Sequence, residues 1–227
     1  MRAAVAIAAR RRPPRRTSRR RRSSVKTRAD AWETVCRTVS DRGLRRHMLA
    51  VSAAMRHYAA RLGEDPEAWA TVGLLHDFDW EIHPGLDEHP MKGAGILRAE
   101  GWDEETIRII LSHYTEGTGV PREKPVDFAL LACDEITGLI SAATLVRPSM
   151  DIAETSLSSL RKKWKDRRFA AGVDREHVTQ MTDDFSRACF DGGLELWSHI
   201  ENVLTAMQGA AAELELDGRL AVARADG

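Results

Sequence analysis

The chain contains little cysteine, with only Cys36, Cys133 and Cys189 in 227 positions. The three residues are far apart, their number is odd, and no CxxC pair occurs. These spacings exclude a zinc knuckle and give no framework of disulfides. We therefore expect a protein that is held together by a packed core and that works in a reducing compartment, the cytoplasm.

Long apolar runs and alternating patterns are missing as well. No stretch approaches the ~18 apolar residues that a membrane helix requires, so we expect no membrane partner. No alternation of apolar and polar residues typical of a strand appears over any length. Helical periodicity dominates instead, and the sequence predicts an all-α fold.

Net charge is also missing, because 34 Lys and Arg residues balance 34 Asp and Glu residues. Residues 1–28, however, carry twelve of the basic residues and none of the acidic ones, which leaves residues 29–227 with a net charge of about −12. Nucleic-acid-binding domains need a basic surface, so the acidic body makes a nucleic-acid partner unlikely. Its acidity is more compatible with holding divalent cations.

Composition divides the chain into three expected segments. Residues 1–28 are too rich in Arg to form a core and are predicted to be disordered. This extension has the composition of a transit peptide, of a basic arm for RNA or acidic partners, or of a dispensable leader. Residues 29–210 are predicted to form the helical domain, and residues 211–227 a flexible tail. A homodimer is compatible with these segments.

Helix boundaries follow from capping and breaking residues. Asp65-Pro66-Glu67 is typical of a helix start, with a carboxylate at the N-cap and Pro at the first helical position. Asp103 predicts another start, Gly63 an end, and Gly192-Gly193 a break. In chain order, the predicted helices cover about residues 30–39, 42–62, 65–77, a short piece after Pro90, 103–113, 123–144, 149–166 and 174–210.

Histidine and aspartate side chains interrupt these helices in a regular order. The six residues are His47, His76, Asp77, His89, His113 and Asp134. Imidazole nitrogens and carboxylate oxygens are the ligands that borderline and hard divalent metals prefer. His76-Asp77 ends an apolar helix and Asp134 lies within FALLACDEITGLI, where an uncompensated charge is costly. The six groups are enough for two ions of Fe, Mn, Co, Ni or Zn, with Asp77 bridging them.

The order His … His-Asp … Asp resembles the HD superfamily of metal-dependent phosphohydrolases over about residues 42–145. Residues 89–138 are similar in layout to HD-type dinucleoside tetraphosphate hydrolases. The segments HDFDWE and GLI resemble those of a group of uncharacterised HD hydrolases. The resemblance implies an HD-domain helical bundle, here with extra C-terminal helices.

The resemblance also implies roles for the six residues. One metal would be held by His47, His76, Asp77 and Asp134, and the second by Asp77, His89 and His113. A bridging hydroxide would attack phosphorus in a phosphomonoester or phosphoanhydride of a nucleotide-like metabolite. Asp77 is therefore expected to be catalytic, and the expected partner is a phosphorylated small molecule.

The sequence departs from the family at Trp80, where many HD proteins have the Lys of an HDxxK pattern. Asp79 and Glu81 beside it add negative charge. Phosphate contacts must then come from elsewhere, and Lys92 is predicted to have a catalytic and substrate-binding role. The remaining candidates for substrate binding are Arg147, Arg161, Lys162 and Lys163. Each of these cations has an alternative interpretation as part of a solvated helix face.

Two further functions use the same ligand set. Some HD-fold proteins with a similar pattern are di-iron oxygenases that cleave C–P or C–C bonds with O2. A non-catalytic, metal-bound nucleotide sensor is the third possibility. Ligand identity alone does not separate these functions, and the phosphohydrolase is the leading hypothesis.

Overall fold

A computed structural model describes residues 26–225. The extension predicted to be disordered lies outside the described residues, apart from its last three positions. The described part folds into eleven α-helices and one short 3₁₀ helix. It contains no β-strand, only an isolated antiparallel bridge between Asp151 and Asp217. The predicted all-α fold is confirmed.

The helices follow one another with short connections. Their bounds are α1 Arg28–Thr38, α2 Arg42–Leu62, α3 Pro66–Leu75, α4 Met91–Glu100, α5 Glu104–Ser112, α6 Thr115–Thr118, α7 Pro125–Leu145, the 3₁₀ helix Ile152–Glu154, α8 Leu157–Lys165, α9 Arg175–Phe190, α10 Leu196–Gly209 and α11 Arg219–Ala225.

Capping residues begin the helices where the sequence predicts. The Asp65 carboxylate accepts hydrogen bonds from the backbone N–H groups of Glu67 and Ala68, and Pro66 is the first residue of α3. Asp103 accepts from the N–H of Thr106 at the start of α5. Gly63 ends α2 in the left-handed conformation, with φ 73°. These predicted boundaries are confirmed.

The prediction of one helix over residues 149–166 is wrong. The side chains of Asp151 and Ser156 cap two separate elements, the 3₁₀ helix and α8. Thr155 between them is extended, with φ −79° and ψ 123°, so the helical hydrogen bonds cannot continue through it. The predicted break at Gly192-Gly193 is confirmed, since α9 ends at Phe190 and α10 begins at Leu196.

Helices α2, α3 and α7 form the centre of the domain. Helix α2 packs on α3 and α7, α9 packs on α7, and α10 contacts both α2 and α7. Helix α7 is long and apolar enough for a membrane span by length and composition, which corrects the expectation that no stretch would approach this limit. Over half of that apolar window, 56%, is buried inside the fold, as in a core helix.

Helices α2 and α3 meet closely at Gly73. A Cβ atom there would lie 2.8 Å from the backbone N and Cα atoms of Ser52. The Ser52 hydroxyl also donates a hydrogen bond of 2.8 Å to the carbonyl of Ala70. This contact between backbones brings His47 on α2 next to the C-terminal end of α3.

The residues after α10 fold back onto the domain. Leu214 and Leu216 are buried, and the Leu216 carbonyl accepts a hydrogen bond of 2.7 Å from the N–H of Ile152. The Arg46 guanidinium donates to the Leu214 carbonyl at 2.9 Å. The flexible tail expected from residue 211 is therefore wrong for this segment, because burial and hydrogen bonds hold it in place.

Candidate metal centre

The structure brings the six predicted ligand side chains to one place. His47 comes from the first half of α2 and Asp134 from the middle of α7. His76 and His113 lie directly after α3 and α5, at their C-cap positions. Asp77 and His89 come from the segment that connects α3 to α4. Four helices and one loop thus position the site.

The first ligand group surrounds the Nε2 atom of His47. That atom lies 3.3 Å from His76 Nε2 and 3.0 Å from Asp134 Oδ1. His76 Nε2 lies 3.4 Å from Asp77 Oδ2 and 3.5 Å from Asp134 Oδ1. Donors about 2.1 Å from one ion are about 3.0 Å apart in octahedral and about 3.4 Å apart in tetrahedral geometry. His47, His76 and Asp77 form a group that could hold a divalent metal, and Asp134 Oδ1 lies beside both imidazoles as a further candidate ligand.

The second ligand group uses the other oxygen of Asp77. Its Oδ1 lies 3.4 Å from His89 Nε2 and 3.7 Å from His113 Nε2. The two Nε2 atoms are 3.1 Å apart. Asp77 therefore belongs to both groups that could hold an ion, with one carboxylate oxygen directed to each.

Hydrogen bonds at Nδ1 orient two of the imidazoles. His76 Nδ1 donates to the carbonyl of Gly73 at 2.9 Å, and His113 Nδ1 donates to the carbonyl of Ile110. A proton on Nδ1 leaves the Nε2 lone pair free to bind a metal. The last turns of α3 and α5 thus fix the tautomers of the ligands that follow them.

Side chains orient the other two imidazoles. His89 Nδ1 donates to Asp79 Oδ1 at 2.8 Å, and Asp79 Oδ2 accepts from the N–H of Gly93 at 3.0 Å. His47 Nδ1 lies 3.4 Å from the hydroxyl oxygen of Thr137, which donates to the Asp134 carbonyl at 2.7 Å. All four histidines therefore direct Nε2 to the centre, as metal-bound histidines do.

Asp79 is a functional residue that sequence reasoning missed. In the sequence it is only an extra negative charge beside Trp80, but in the structure it is fully buried. A Cβ atom on Gly93 would lie 2.5 Å from Asp79 Oδ2, so the glycine makes room for the carboxylate. The sequence signal that could have indicated this role is its spacing, since Asp79 follows the candidate metal ligand Asp77 by two positions.

Neighbouring carboxylates set the protonation of the centre. Burial lowers the pKa of His76, but the charges of Asp77 and Asp134 and a hydrogen bond that His76 donates to Asp134 raise it to about 9. Burial raises the pKa of Asp134, and hydrogen bonds from His47 and His76 hold it well below its usual range. A metal that binds here displaces the proton of His76.

A cavity of about 980 Å³ opens onto the centre. Asp77, His89, His113 and Asp134 form its floor. One wall is apolar and aromatic and is made by Trp80, Leu86 and Tyr114. Further lining residues come from α7 and α9, among them Glu135, His177, Met181 and Asp184. The cavity is large enough for a small metabolite.

Of the arginines and lysines within residues 26–225, only Arg122 lines this cavity. Its guanidinium donates hydrogen bonds of 3.3 Å to the Ser112 carbonyl and to Glu116 Oε1. Sequence reasoning missed Arg122, because it lies in a loop and not in a basic run. Its position three residues before α7 gives no sequence signal for proximity to the metal ligands.

The structure places the predicted phosphate-binding cations away from this cavity. Lys92 is half exposed and pairs with Glu88, and Arg147 pairs with Glu154 at 3.2 Å. The Arg161 guanidinium lies over the Trp197 ring at 4.2 Å. Lys163 lies over the Phe169 ring, and Lys162 is exposed. Since none of them lines the cavity, we assign them no substrate contact.

Comparison with known proteins agrees with this geometry. Residues 44–135 match the family model described as the HD domain. Residues 44–135 form an HD domain. The match takes in all six ligand residues of the centre. The superfamily consists mostly of metal-dependent phosphohydrolases, and its members bind divalent metals through such His and Asp side chains.

The HD domain makes up the first part of the described fold, from α2 to the middle of α7. The wall of the cavity that α9 forms lies outside the matched residues. Searches of curated proteins and of solved structures gave no match to the chain. The similarity to dinucleoside tetraphosphate hydrolases therefore stays a prediction.

Proposed function

We propose that this HD domain is a phosphohydrolase with two metal ions, which cleaves a phosphate ester or anhydride of a small, nucleotide-like metabolite. The observation that carries the proposal is the position of Asp77. Its Oδ2 lies 3.4 Å from His76 Nε2, while its Oδ1 lies 3.4 Å from His89 Nε2. A carboxylate shared in this way is suited to two ions, whichever of Fe, Mn, Co, Ni and Zn fill the site.

Two divalent cations, when bound, lower the pKa of a water molecule and neutralise charge on phosphoryl oxygens. The protein side chains supply the geometry. Asp79 and the helix-end carbonyls hold the imidazole rings in orientation. Arg122 is the guanidinium that can exchange its bond to the exposed Glu116 for a phosphoryl oxygen.

The ionised state of Glu116 also supports a substrate-binding role for Arg122. A hydrogen bond from its own backbone N–H and the nearby Arg122 lower the pKa of the Glu116 carboxyl. A carboxylate that stays ionised at neutral pH does not act as a general acid. Glu116 instead holds Arg122 at the mouth of the cavity.

The test is phosphate release by protein purified and assayed without O2, over a panel of phosphomonoesters and phosphoanhydrides. We expect turnover in the absence of O2, and loss of turnover in Asp77→Ala but not in the exposed control Asp183→Ala. Turnover that needs O2 would assign the site to oxygenase chemistry instead. Full metal occupancy without turnover of any ester would favour the sensor.

We propose a reducing compartment such as the cytoplasm for this activity. All three cysteines, each within the described part of the chain, are free. Cys133 is buried in α7, and burial raises the pKa of its thiol. The Cys133 thiol, next to Asp134 in the chain, is therefore not an ionised ligand of the centre.

A further inference from the structure

The charge of the cavity limits how many phosphates it can accept. Two divalent cations together with Asp77 and Asp134 give the centre a net charge of about +2, which one phosphomonoester dianion neutralises. Beyond the ligands, the cavity lining adds three carboxylates, Glu116, Glu135 and Asp184. Against these, Arg122 is the one permanently charged cation of the lining within residues 26–225, and Glu116 already engages it. Asp184 is paired with Arg187, which does not line the cavity.

A chain of further phosphates would therefore meet carboxylates. Each added phosphate brings at least about one negative charge, and like charges that face each other without a counter-ion repel strongly. The lysines and arginines of α8, which could have compensated this charge, lie outside the cavity lining. The cavity thus favours a substrate with one phosphoryl group.

The wall beside the second ligand group is apolar and open. Trp80 is 37% exposed, and its ring meets the His89 ring edge-to-face, with centroids 5.0 Å apart. Leu86, from the same connecting segment, is 56% exposed. Large apolar side chains at the mouth of a polar site are typical of a surface that packs against a ligand. Trp80 offers an aromatic face to the part of the substrate that carries no phosphate.

We infer that the cavity binds a phosphate monoester with a single phosphoryl group and an uncharged, aromatic or apolar alcohol part that packs on Trp80 and Leu86. This inference rests on the proposed function and names its substrate class. It gives a role to the residue that departs from the HDxxK pattern. Trp80 selects the alcohol part of the substrate where relatives of the HDxxK type have a lysine.

The first test compares substrates that differ only in phosphate number. For one nucleoside, we expect kcat/KM for the monophosphate to exceed that for the diphosphate and the triphosphate by at least about tenfold. Asp184→Asn should reduce this preference, because it removes one carboxylate from the lining and releases its partner Arg187, while the exposed neighbour Asp183→Asn should leave it unchanged. A triphosphate that is used as well as the monophosphate would overturn the inference, as would an unchanged preference in Asp184→Asn.

The second test measures binding without turnover. Calorimetry would follow a non-hydrolysable phosphonate analogue of the nucleoside monophosphate, with Trp80→Ala and the exposed control Ile82→Ala. We expect Trp80→Ala to weaken binding by about tenfold, as for the loss of a stacked aromatic ring, and Ile82→Ala to leave it unchanged. Equal affinity in both variants would overturn the role of Trp80.

The two tests also separate the inference from the proposed function. If no phosphate ester is turned over, the hydrolase proposal fails, but the mono- and diphosphonate analogues still measure the preference by calorimetry. If esters are turned over and the diphosphate analogue binds as tightly as the monophosphate analogue, the hydrolase stands and the inferred substrate class is wrong.

Discussion

Asp79 acts through His89 and not on the substrate. Its carboxylate accepts from His89 Nδ1 at 2.8 Å and is fully buried, so it holds the His89 ring with Nε2 toward Asp77. We expect Asp79→Asn to weaken metal binding in the second ligand group by about 10- to 100-fold, as for other partners of metal-bound histidines. A metal titration in a calorimeter measures this affinity.

The matched control for this prediction is Asp87→Asn, since Asp87 is exposed and lies in the same segment. Its metal affinity should equal that of the native protein. A loss of the same size in both variants would show that charge in the segment matters and that orientation of His89 does not.

Individual residues also show what a sequence can predict. The clustering of candidate metal ligands was predictable because His and Asp are costly in apolar helices unless something compensates them, and this cost is visible locally. The cation that lines the cavity was not predicted, because proximity depends on how the helices cross. Lys92 is three residues from His89 but pairs with Glu88, while Arg122 reaches the cavity from a loop.

At the scale of helices, the contact of α2 with α3 decides whether His47 meets His76. Gly73 allows it, since a Cβ there would lie 2.8 Å from backbone atoms of Ser52 that cannot move aside. We expect Gly73→Ala to lower the free energy of unfolding by about 1 to 3 kcal/mol through overpacking, and to weaken metal binding as well. Urea denaturation measures the first effect and metal titration the second.

Gly138 provides the control within another central helix. An added Cβ there meets no atom within 4 Å, and the residue lies in the interior of α7. Gly138→Ala should therefore be neutral or stabilise the protein by about 0.5 kcal/mol. If Gly73→Ala behaves in the same way, the helices do not depend on this close approach.

Helix starts were predictable because Asp65 and Asp103 act on backbone groups within three residues. The division of residues 149–166 into a 3₁₀ helix and α8 was not predictable. Asp151 and Ser156 cap separate elements in a stretch that also has helical spacing. The C-terminal segment was misjudged for a different reason. Leu214 and Leu216 are isolated apolar residues whose burial depends on distant partners such as Ile152 and Arg46.

At the scale of the whole molecule, a buried histidine links stability to pH. His199 donates from Nε2 to the Ala132 carbonyl at 2.7 Å, and its Nδ1 accepts from the Tyr58 hydroxyl at 2.6 Å. Burial lowers the pKa of His199 from 6.5 to about 4. The unfolded chain therefore binds a proton that the folded protein does not, between these two values. Because of His199, the free energy of unfolding falls by about 3 kcal/mol as the pH drops from 6.5 to 4.

His199→Gln tests this link, because glutamine can make both hydrogen bonds but does not titrate. With metal chelated, the free energy of unfolding of the variant should depend less on pH between 6.5 and 4 than that of the native protein. Parallel curves for the two proteins over this interval would mean that His199 does not carry the effect.

The central claim concerns the two oxygens of the Asp77 carboxylate, each directed to its own pair of histidines. The most direct measurement is the number of metal ions bound per chain in protein purified without O2. We predict two in the native protein, one in His113→Ala, and fewer than one in Asp77→Ala, because the shared carboxylate supports both sites. One ion in the native protein, or two retained in Asp77→Ala, would contradict the account.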